Sequence, residues 1–182
     1  MLLCTLFLIL LAGCGAGGET GTDAGAQGTE KDNLKQAGLG AMSLLYDDSV
    51  WTYAEEESTD ANLVFRGPGD AVLGISCSRE SYYQHPLDML NTAKQIYSTF
   101  PGYEEIEVPT EVQVQNDSWY EWVCRYEEDG VETIALQRFY GKNYYAYAVS
   151  YVAEKGEYDS GKNEALKVMN SAVMNVPDNH EA

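Results

Sequence analysis

The segment WYEWVCRYEEDGVETIALQRFY, residues 119–140, consists of two apolar-rich runs on either side of a tight-turn signal. The runs Trp119 to Glu127 and Glu132 to Tyr140 are rich in the aromatic and β-branched residues that favour strands. Asp129-Gly130 between them is a strong signal for a two-residue hairpin turn, because both residue types tolerate a positive φ. Two strands joined by so short a turn run antiparallel. The segment therefore predicts an antiparallel β-hairpin.

Strand patterns continue on both sides of this hairpin. Gly67-Pro68-Gly69-Asp70 is a turn signal between two apolar runs, and such signals leave no room for a helical crossover. Pro109 marks a bend or an edge in an alternating run. The further strands are predicted at residues 43–46, 50–55, 62–66, 71–77, 104–115 and 144–153.

Two segments have the 3.6-residue apolar period of amphipathic helices. Pro86 to Phe100 is preceded by His85 at the cap position and ended by Pro101-Gly102. The second helix is predicted from about Ser160 to Val176. Its apolar stripe consists of Ala165, Leu166, Met169, Ala172 and Val173. These elements together predict an α+β fold with a single, mainly antiparallel sheet covered by two helices.

The N-terminal segment predicts where the protein is located. Leu2 to Leu11 is an apolar run too short to span a bilayer but long enough for the hydrophobic region of a secretory signal. It leads into Leu11-Ala12-Gly13-Cys14, which resembles the lipobox of bacterial lipoproteins. The resemblance implies cleavage before Cys14 and attachment of diacylglycerol to its thiol, and two acyl chains suffice for stable anchoring. We therefore expect a lipid-anchored protein on the extracytoplasmic face of the cell membrane.

The chain divides into four parts by composition. Residues 1–13 are the expected signal peptide. Residues 14–41 carry the lipidated cysteine and a Gly-rich stretch without apolar period, which predicts a flexible tether. Residues 42–176 are the expected globular domain, and residues 177–182 a polar tail.

The element order of residues 42–176 resembles the PsbP-like fold, which is also found in DcrB-like bacterial lipoproteins. Proteins with this fold serve as accessory and regulatory proteins, so the resemblance implies no single activity. No functional residue of the family is carried over to this sequence, because the resemblance rests on element order alone.

Charge argues against one class of partner. The chain has 29 acidic and 11 basic residues, for a formal net charge of −18. This charge repels phosphate backbones, and the sequence has no cluster of Lys or Arg that offsets it locally. Nucleic-acid binding is therefore not expected.

The residues that carry most enzyme and metal chemistry are sparse. His85 and His180 are the two histidines, too few for a simple zinc site or a Ser-His-acid hydrolase. The acidic clusters lack the ligand spacing of a calcium-binding EF-hand loop. We therefore assign no catalytic residue, metal or cofactor.

Two cysteines remain in the predicted domain. Cys77 and Cys124 both fall in predicted strands, and an exported protein can keep a disulfide. A bridge between them would close a long loop and stabilise the fold. The alternative is a pair of buried thiols that behave as small apolar side chains. The sequence does not decide between a disulfide and two buried thiols.

The 14 tyrosines are the most unusual feature of the composition. Some of them alternate along two predicted strands and so share strand faces. One reading is a sheet face buried under the second helix; the other is an exposed aromatic face that binds a partner such as an envelope protein or a glycan. The candidate binding face consists of Tyr120, Trp122, Tyr145, Tyr147 and Tyr151.

The sequence as a whole favours a non-enzymatic binding or accessory module of the cell envelope. It would be held at the membrane by the lipid on Cys14, with an unknown envelope protein or glycan as its partner. The alternative is a small envelope hydrolase that uses a pair of carboxylates, since acidic residues are abundant.

The lipid anchor can be tested directly. Changing Cys14 to Ala removes the thiol that would carry the diacylglycerol, so the protein should move from the membrane to the soluble fraction. Fractionation with N-terminal mass analysis measures this. A Cys14→Ala protein that stays with the membrane and keeps its mature N-terminus would contradict the lipoprotein interpretation.

Overall fold

A computed structural model describes residues 33–78, 85–143 and 145–176. Within them the chain forms ten strands and two α-helices. The strands are β1 (Leu34–Leu39), β2 (Met42–Asp47), β3 (Thr52–Tyr53), β4 (Asn62–Arg66), β5 (Val72–Ser78), β6 (Glu104–Val114), β7 (Asp117–Glu128), β8 (Val131–Lys142), β9 (Tyr145–Glu154) and β10 (Val173–Met174). The helices are α1 (Pro86–Tyr97) and α2 (Tyr158–Asn170).

Seven of the strands form one large sheet in the order β3-β4-β5-β9-β8-β7-β6, and every neighbouring pair is antiparallel. The predicted α+β class, with a mainly antiparallel sheet and two helices, is confirmed. The structure adds a small second sheet with the order β1-β2-β10.

The predicted hairpin is formed by β7 and β8. Glu128 pairs with Val131, so Asp129 and Gly130 are the two turn residues. Their φ angles are 52° and 82°, which is the backbone that a type I′ turn requires at both central positions. The long strands continue past the predicted ends because their pairing extends as far as Lys142 with Tyr145 on β9.

The two helices cover opposite faces of the large sheet. The face that α1 covers is built on Trp122, Tyr126 and Phe139 with Leu90 and Ala93 of the helix. On the other face, Tyr147 and Tyr151 lie in one core with Met169 of α2. The small sheet also belongs to this second core, through inward-facing residues such as Leu44.

The first strand corrects the predicted boundary of the tether. The predicted flexible segment includes residues 34–39, but these residues form β1 and pair with β2 from Leu34–Asp47 to Leu39–Met42. Leu39 is buried and Ala37 packs on the core, and this burial offsets the entropy of ordering a Gly-containing segment. The rest of the predicted tether, the signal peptide and residues 177–182 lie outside the described residues.

The second helix is shorter than predicted. It ends at Asn170 instead of Val176, and the chain then forms β10 beside β2. The hydroxyl of Ser171 accepts a hydrogen bond from the Leu45 N–H at 2.8 Å, and its one proton lies between two acceptors, the Val168 carbonyl at 2.7 Å and the Leu45 carbonyl at 3.1 Å. These bonds extend the pairing of β2 and replace a further helical turn.

The first helix begins as predicted, since His85 Nδ1 accepts from the Leu87 N–H at 3.2 Å.

The turn between β7 and β8 provides a test of the fold. Gly130→Ala should destabilise the protein by about 1 kcal/mol, because its positive φ disfavours a side chain. Chemical denaturation measures the change in the free energy of unfolding.

Gly156→Ala is the matched control. A methyl group at position 156 would have open space around it, and the φ of Gly156 is not in the left-handed region. Its effect on the free energy of unfolding should be small or slightly stabilising. Equal effects of the two substitutions would contradict the assigned turn geometry.

Candidate functional site

The structure separates the tyrosines of the predicted binding face. Tyr120 pairs with Phe139, which pairs with Ala148 on β9, so Tyr120 shares a face with Ala148. Trp122 lies on that same face, towards α1. Tyr145, Tyr147 and Tyr151 alternate with Ala148 along β9 and lie on the other face. The five residues therefore do not form one surface.

The central tyrosines of β9 are core residues. Tyr147 and Tyr151 are both 0% exposed, and Trp122 on the other face is equally buried. The Tyr147 hydroxyl accepts a hydrogen bond from the Ala41 N–H at 2.7 Å. The Tyr151 hydroxyl donates to the Tyr158 carbonyl at 2.9 Å, and burial raises the pKa of Tyr151 to about 12. The prediction of one exposed aromatic binding face is wrong, because the β1–β2 hairpin and α2 cover Tyr147 and Tyr151 while α1 covers Trp122.

Of the two alternatives for Cys77 and Cys124, the structure favours separate thiols over a disulfide. Cys77 lies on β5 and Cys124 on β7, and β9 and β8 run between these strands. Three strand spacings amount to roughly 14 Å, whereas a disulfide requires Cα atoms within about 7 Å. The two thiols also belong to cores on opposite faces of the sheet. Cys124 is buried, and this burial raises the pKa of its thiol, which disfavours the reactive thiolate.

The carboxylates nearest to the cores are held by basic or indole groups. Glu121 accepts from Arg138 Nε at 2.7 Å, and Arg138 also donates to Asn170. Glu105 forms an ion pair with Lys94 and accepts from Trp122 Nε1 at 3.0 Å. Such partners position and neutralise a carboxylate, so these contacts do not favour the hydrolase alternative.

One carboxyl group at the end of β7 has a raised pKa. Burial, and then the nearby charge of Asp129, raise the pKa of Glu128. Glu128 lies at the end of β7, beside the hairpin turn, and its Oε2 is buried. A general acid needs a raised pKa, but Glu128 does not line the groove described below.

Metal ligands are not clustered in the part of the chain that the structure describes. No three side chains of His, Cys, Asp or Glu lie close enough there to hold a metal ion. His85 caps α1, and His180 lies outside the described residues. The helices of this part are also too short or too polar to cross a membrane.

A groove of about 480 Å³ opens between the β1–β2 hairpin and α2. We call it the hairpin groove. Its volume is in the range of small-molecule sites. It is lined by Asn33, Leu34, Leu45, Tyr46, Asp47, Trp51, Glu164, Lys167, Val168 and Ser171.

Charged side chains surround the mouth of the hairpin groove. Asp47 Oδ1 accepts from the Ser49 hydroxyl at 2.5 Å and from the Ser49 N–H at 2.9 Å. These bonds, with a smaller contribution from Lys167, lower the pKa of Asp47. Lys167 Nζ donates to Glu164 Oε1 at 2.7 Å across one turn of α2. The groove lining therefore has one cation, which pairs with Glu164, and a second carboxylate, Asp47, which lies within range of the charge of Lys167.

Apolar side chains extend from the groove onto the outer surface of the small sheet. Leu34 and Leu45 are 40% and 44% exposed, and Val173 of β10 is 43% exposed. Ser43, Leu45 and Asp47 are alternate residues of β2, so their side chains share one face of the small sheet. Leu34 pairs with Asp47 and Val173 pairs with Ser43, so both lie on the same face as Leu45. We call Leu34, Leu45 and Val173 the outer hairpin patch.

Sequence reasoning missed this site for two reasons. Leu34 was assigned to the tether, and Val173 to the buried stripe of a helix that ends before it. The signal that indicates the hairpin is Leu39-Gly40-Ala41-Met42, a Gly-containing turn between apolar residues, with Gly40 at a φ of 60°. The helical period of α2 gave no sign of where the helix stops.

Comparisons by sequence gave no relative: neither a known family nor a curated protein matches this chain. Solved structures do match. The solution structure of cyanobacterial PsbP (CyanoP) from Synechocystis sp. PCC 6803 has a TM-score of 0.60 at 15% identity, over 83% of this chain and 98% of that one. The fold is PsbP-like.

Two further structures share the PsbP-like fold. LpqN of Mycobacterium tuberculosis, involved in cell envelope biogenesis, matches with a TM-score of 0.53 at 15% identity, over 81% of this chain and 88% of LpqN. The Saccharomyces cerevisiae Ran-binding protein Mog1p matches with a TM-score of 0.54 at 10% identity, over 78% of this chain and 95% of Mog1p. This chain spans only 47% of a longer Bacteroides thetaiotaomicron protein that it also matches. At these identities the likeness establishes the fold alone.

The burial of Tyr147 provides a test of the core assignment. Tyr147→Ala should destabilise the protein by about 3–5 kcal/mol, as large aromatic truncations in cores do. Tyr147→Phe keeps the ring and removes the hydroxyl that accepts the bond from Ala41, so it should cost about 1 kcal/mol. Denaturant unfolding measures both. An unchanged stability for Tyr147→Ala would restore the exposed-face interpretation.

Proposed function

We propose that this protein is a lipid-anchored, non-enzymatic binding module of the cell envelope, and that it binds a partner protein through the hairpin groove and the outer hairpin patch. The observation that carries the proposal is the exposure of Leu34 and Leu45 beside the groove. Apolar side chains at the border of a concave site are typical of places where another molecule docks.

The position of the groove supports an anchored binding role. Asn33 lines the groove and follows the segment that leads back to Cys14. The groove therefore lies on the side of the domain where the chain connects to the proposed lipid anchor. A partner held near the membrane surface would meet this side.

The structural neighbours support the same kind of function. LpqN is involved in cell envelope biogenesis and Mog1p is a Ran-binding protein. These roles belong to those proteins, and they indicate that a PsbP-like fold can serve for binding and for envelope functions. The fold itself does not specify the partner.

The proposal predicts a specific effect of Leu45. Leu45→Glu places a charge in the apolar part of the site, so capture of the partner from envelope extracts should fall by about tenfold or more. The thermal midpoint should change little, because Leu45 faces outward. Quantitative mass spectrometry of proteins captured by the full-length protein measures this.

Val108→Glu is the matched control. Val108 is 71% exposed on the edge strand β6, and it lies outside the groove lining. This substitution should leave capture unchanged. Loss of capture with Val108→Glu but not with Leu45→Glu would contradict the assignment of the site.

A further inference from the structure

The charges at the mouth of the hairpin groove indicate the chemistry of the partner. Asp47 and Glu164 are two carboxylates against the single ammonium of Lys167, so the rim carries a net negative charge. The whole chain, rim included, has a formal net charge of −18. A field of this sign attracts cationic molecules and accelerates their encounter with the groove.

The cation already present at the rim is weakly held. Lys167 pairs with Glu164, but its side chain is 71% exposed. Exposed ion pairs of this kind contribute little free energy, because water and salt screen them. An incoming ammonium or guanidinium group can therefore take the place of Lys167 beside the two carboxylates.

The apolar surface determines the size of the partner. The floor of the groove includes Val168 and the buried ring of Trp51. The outer hairpin patch continues this surface beyond the groove, as far as Val173. A small cation would leave most of that patch in contact with water, whereas a polypeptide can cover both regions.

We propose that the hairpin groove takes a basic segment of a partner polypeptide, with an apolar side chain against Leu45 and Val168 and a neighbouring Lys or Arg between Asp47 and Glu164. This inference rests on the proposed function and names the class of partner for the same site. Lys167 is then a competitor for the position of the incoming cation.

Because Lys167 competes with the incoming cation, removing a carboxylate and removing Lys167 should change the binding affinity in opposite directions. Asp47→Asn or Glu164→Gln removes a carboxylate that would hold the cation, and should weaken binding by about three- to tenfold. Lys167→Gln removes the competing cation, and should strengthen binding by a similar factor. An anionic partner would give the opposite sign for Lys167→Gln, and a purely apolar contact would give no change.

The probe is an acetylated and amidated peptide of alternating lysine and leucine, compared with the same peptide carrying glutamate for lysine. Titration into the ¹⁵N-labelled protein is followed by the amide signals of Leu45, Asp47 and Ser171. The lysine peptide should shift these signals more strongly than the glutamate peptide, and its affinity should fall as salt is added.

Asp159→Asn is the matched control, because it changes the net charge by the same amount on an exposed residue of α2 that does not line the groove. It should leave the affinity unchanged. Two results would overturn the basic-segment inference. One is an equal loss of affinity for the lysine peptide in Asp159→Asn and Asp47→Asn, and the other is a lower affinity in Lys167→Gln than in the unchanged protein. If Leu45→Glu still abolished capture of the natural partner, the proposed function would stand even though the basic-segment inference had failed.

Discussion

The hydrogen bond from the Ala41 N–H to the Tyr147 hydroxyl joins the two sheets of the protein. Tyr147 lies in the middle of the large sheet on β9, and Ala41 lies in the turn of the β1–β2 hairpin. At Gly40 an added Cβ would lie only 2.7 Å from the Tyr147 hydroxyl oxygen. The hairpin can approach the tyrosine this closely because glycine has no side chain. This contact places the turn of the hairpin over Tyr147 and so contributes to the burial of that ring.

The second helix packs on the same layer through a similar close approach. A Cβ at Gly161 of α2 would lie 2.5 Å from the Tyr151 hydroxyl, so this glycine lets the helix lie directly on β9. Ser171 then joins the end of α2 to the backbone of Leu45. These contacts join the hairpin and the helix beside the groove that lies between them. A preformed groove of this kind binds with less ordering entropy than a flexible one.

Local signals in the sequence predicted much of the fold. Asp129-Gly130 determined a hairpin, and the 3.6-residue period with His85 and Pro86 located α1, because turns and helix starts depend on nearby residues. The strand β1 was missed because its Gly and polar residues resemble a linker, and only the long-range pairing with β2 reveals it. The separation of Trp122 from Tyr147 also depends on long-range register, through the β8–β9 turn. The distance between Cys77 and Cys124 follows from strand order, which the sequence alone does not determine.

Native-state hydrogen exchange at the Ala41 amide tests the central claim that the hairpin is fixed to the large sheet. Ala41 lies in a turn, where an amide without a partner exchanges at nearly the rate of an unstructured peptide. The Ala41 amide should exchange slowly, at a rate comparable to that of the paired amides of β2, because the Tyr147 hydroxyl holds this N–H. Exchange at the unstructured rate would contradict this, since the Tyr147 hydroxyl would then not hold the Ala41 N–H and the turn of the hairpin would not be fixed to the large sheet.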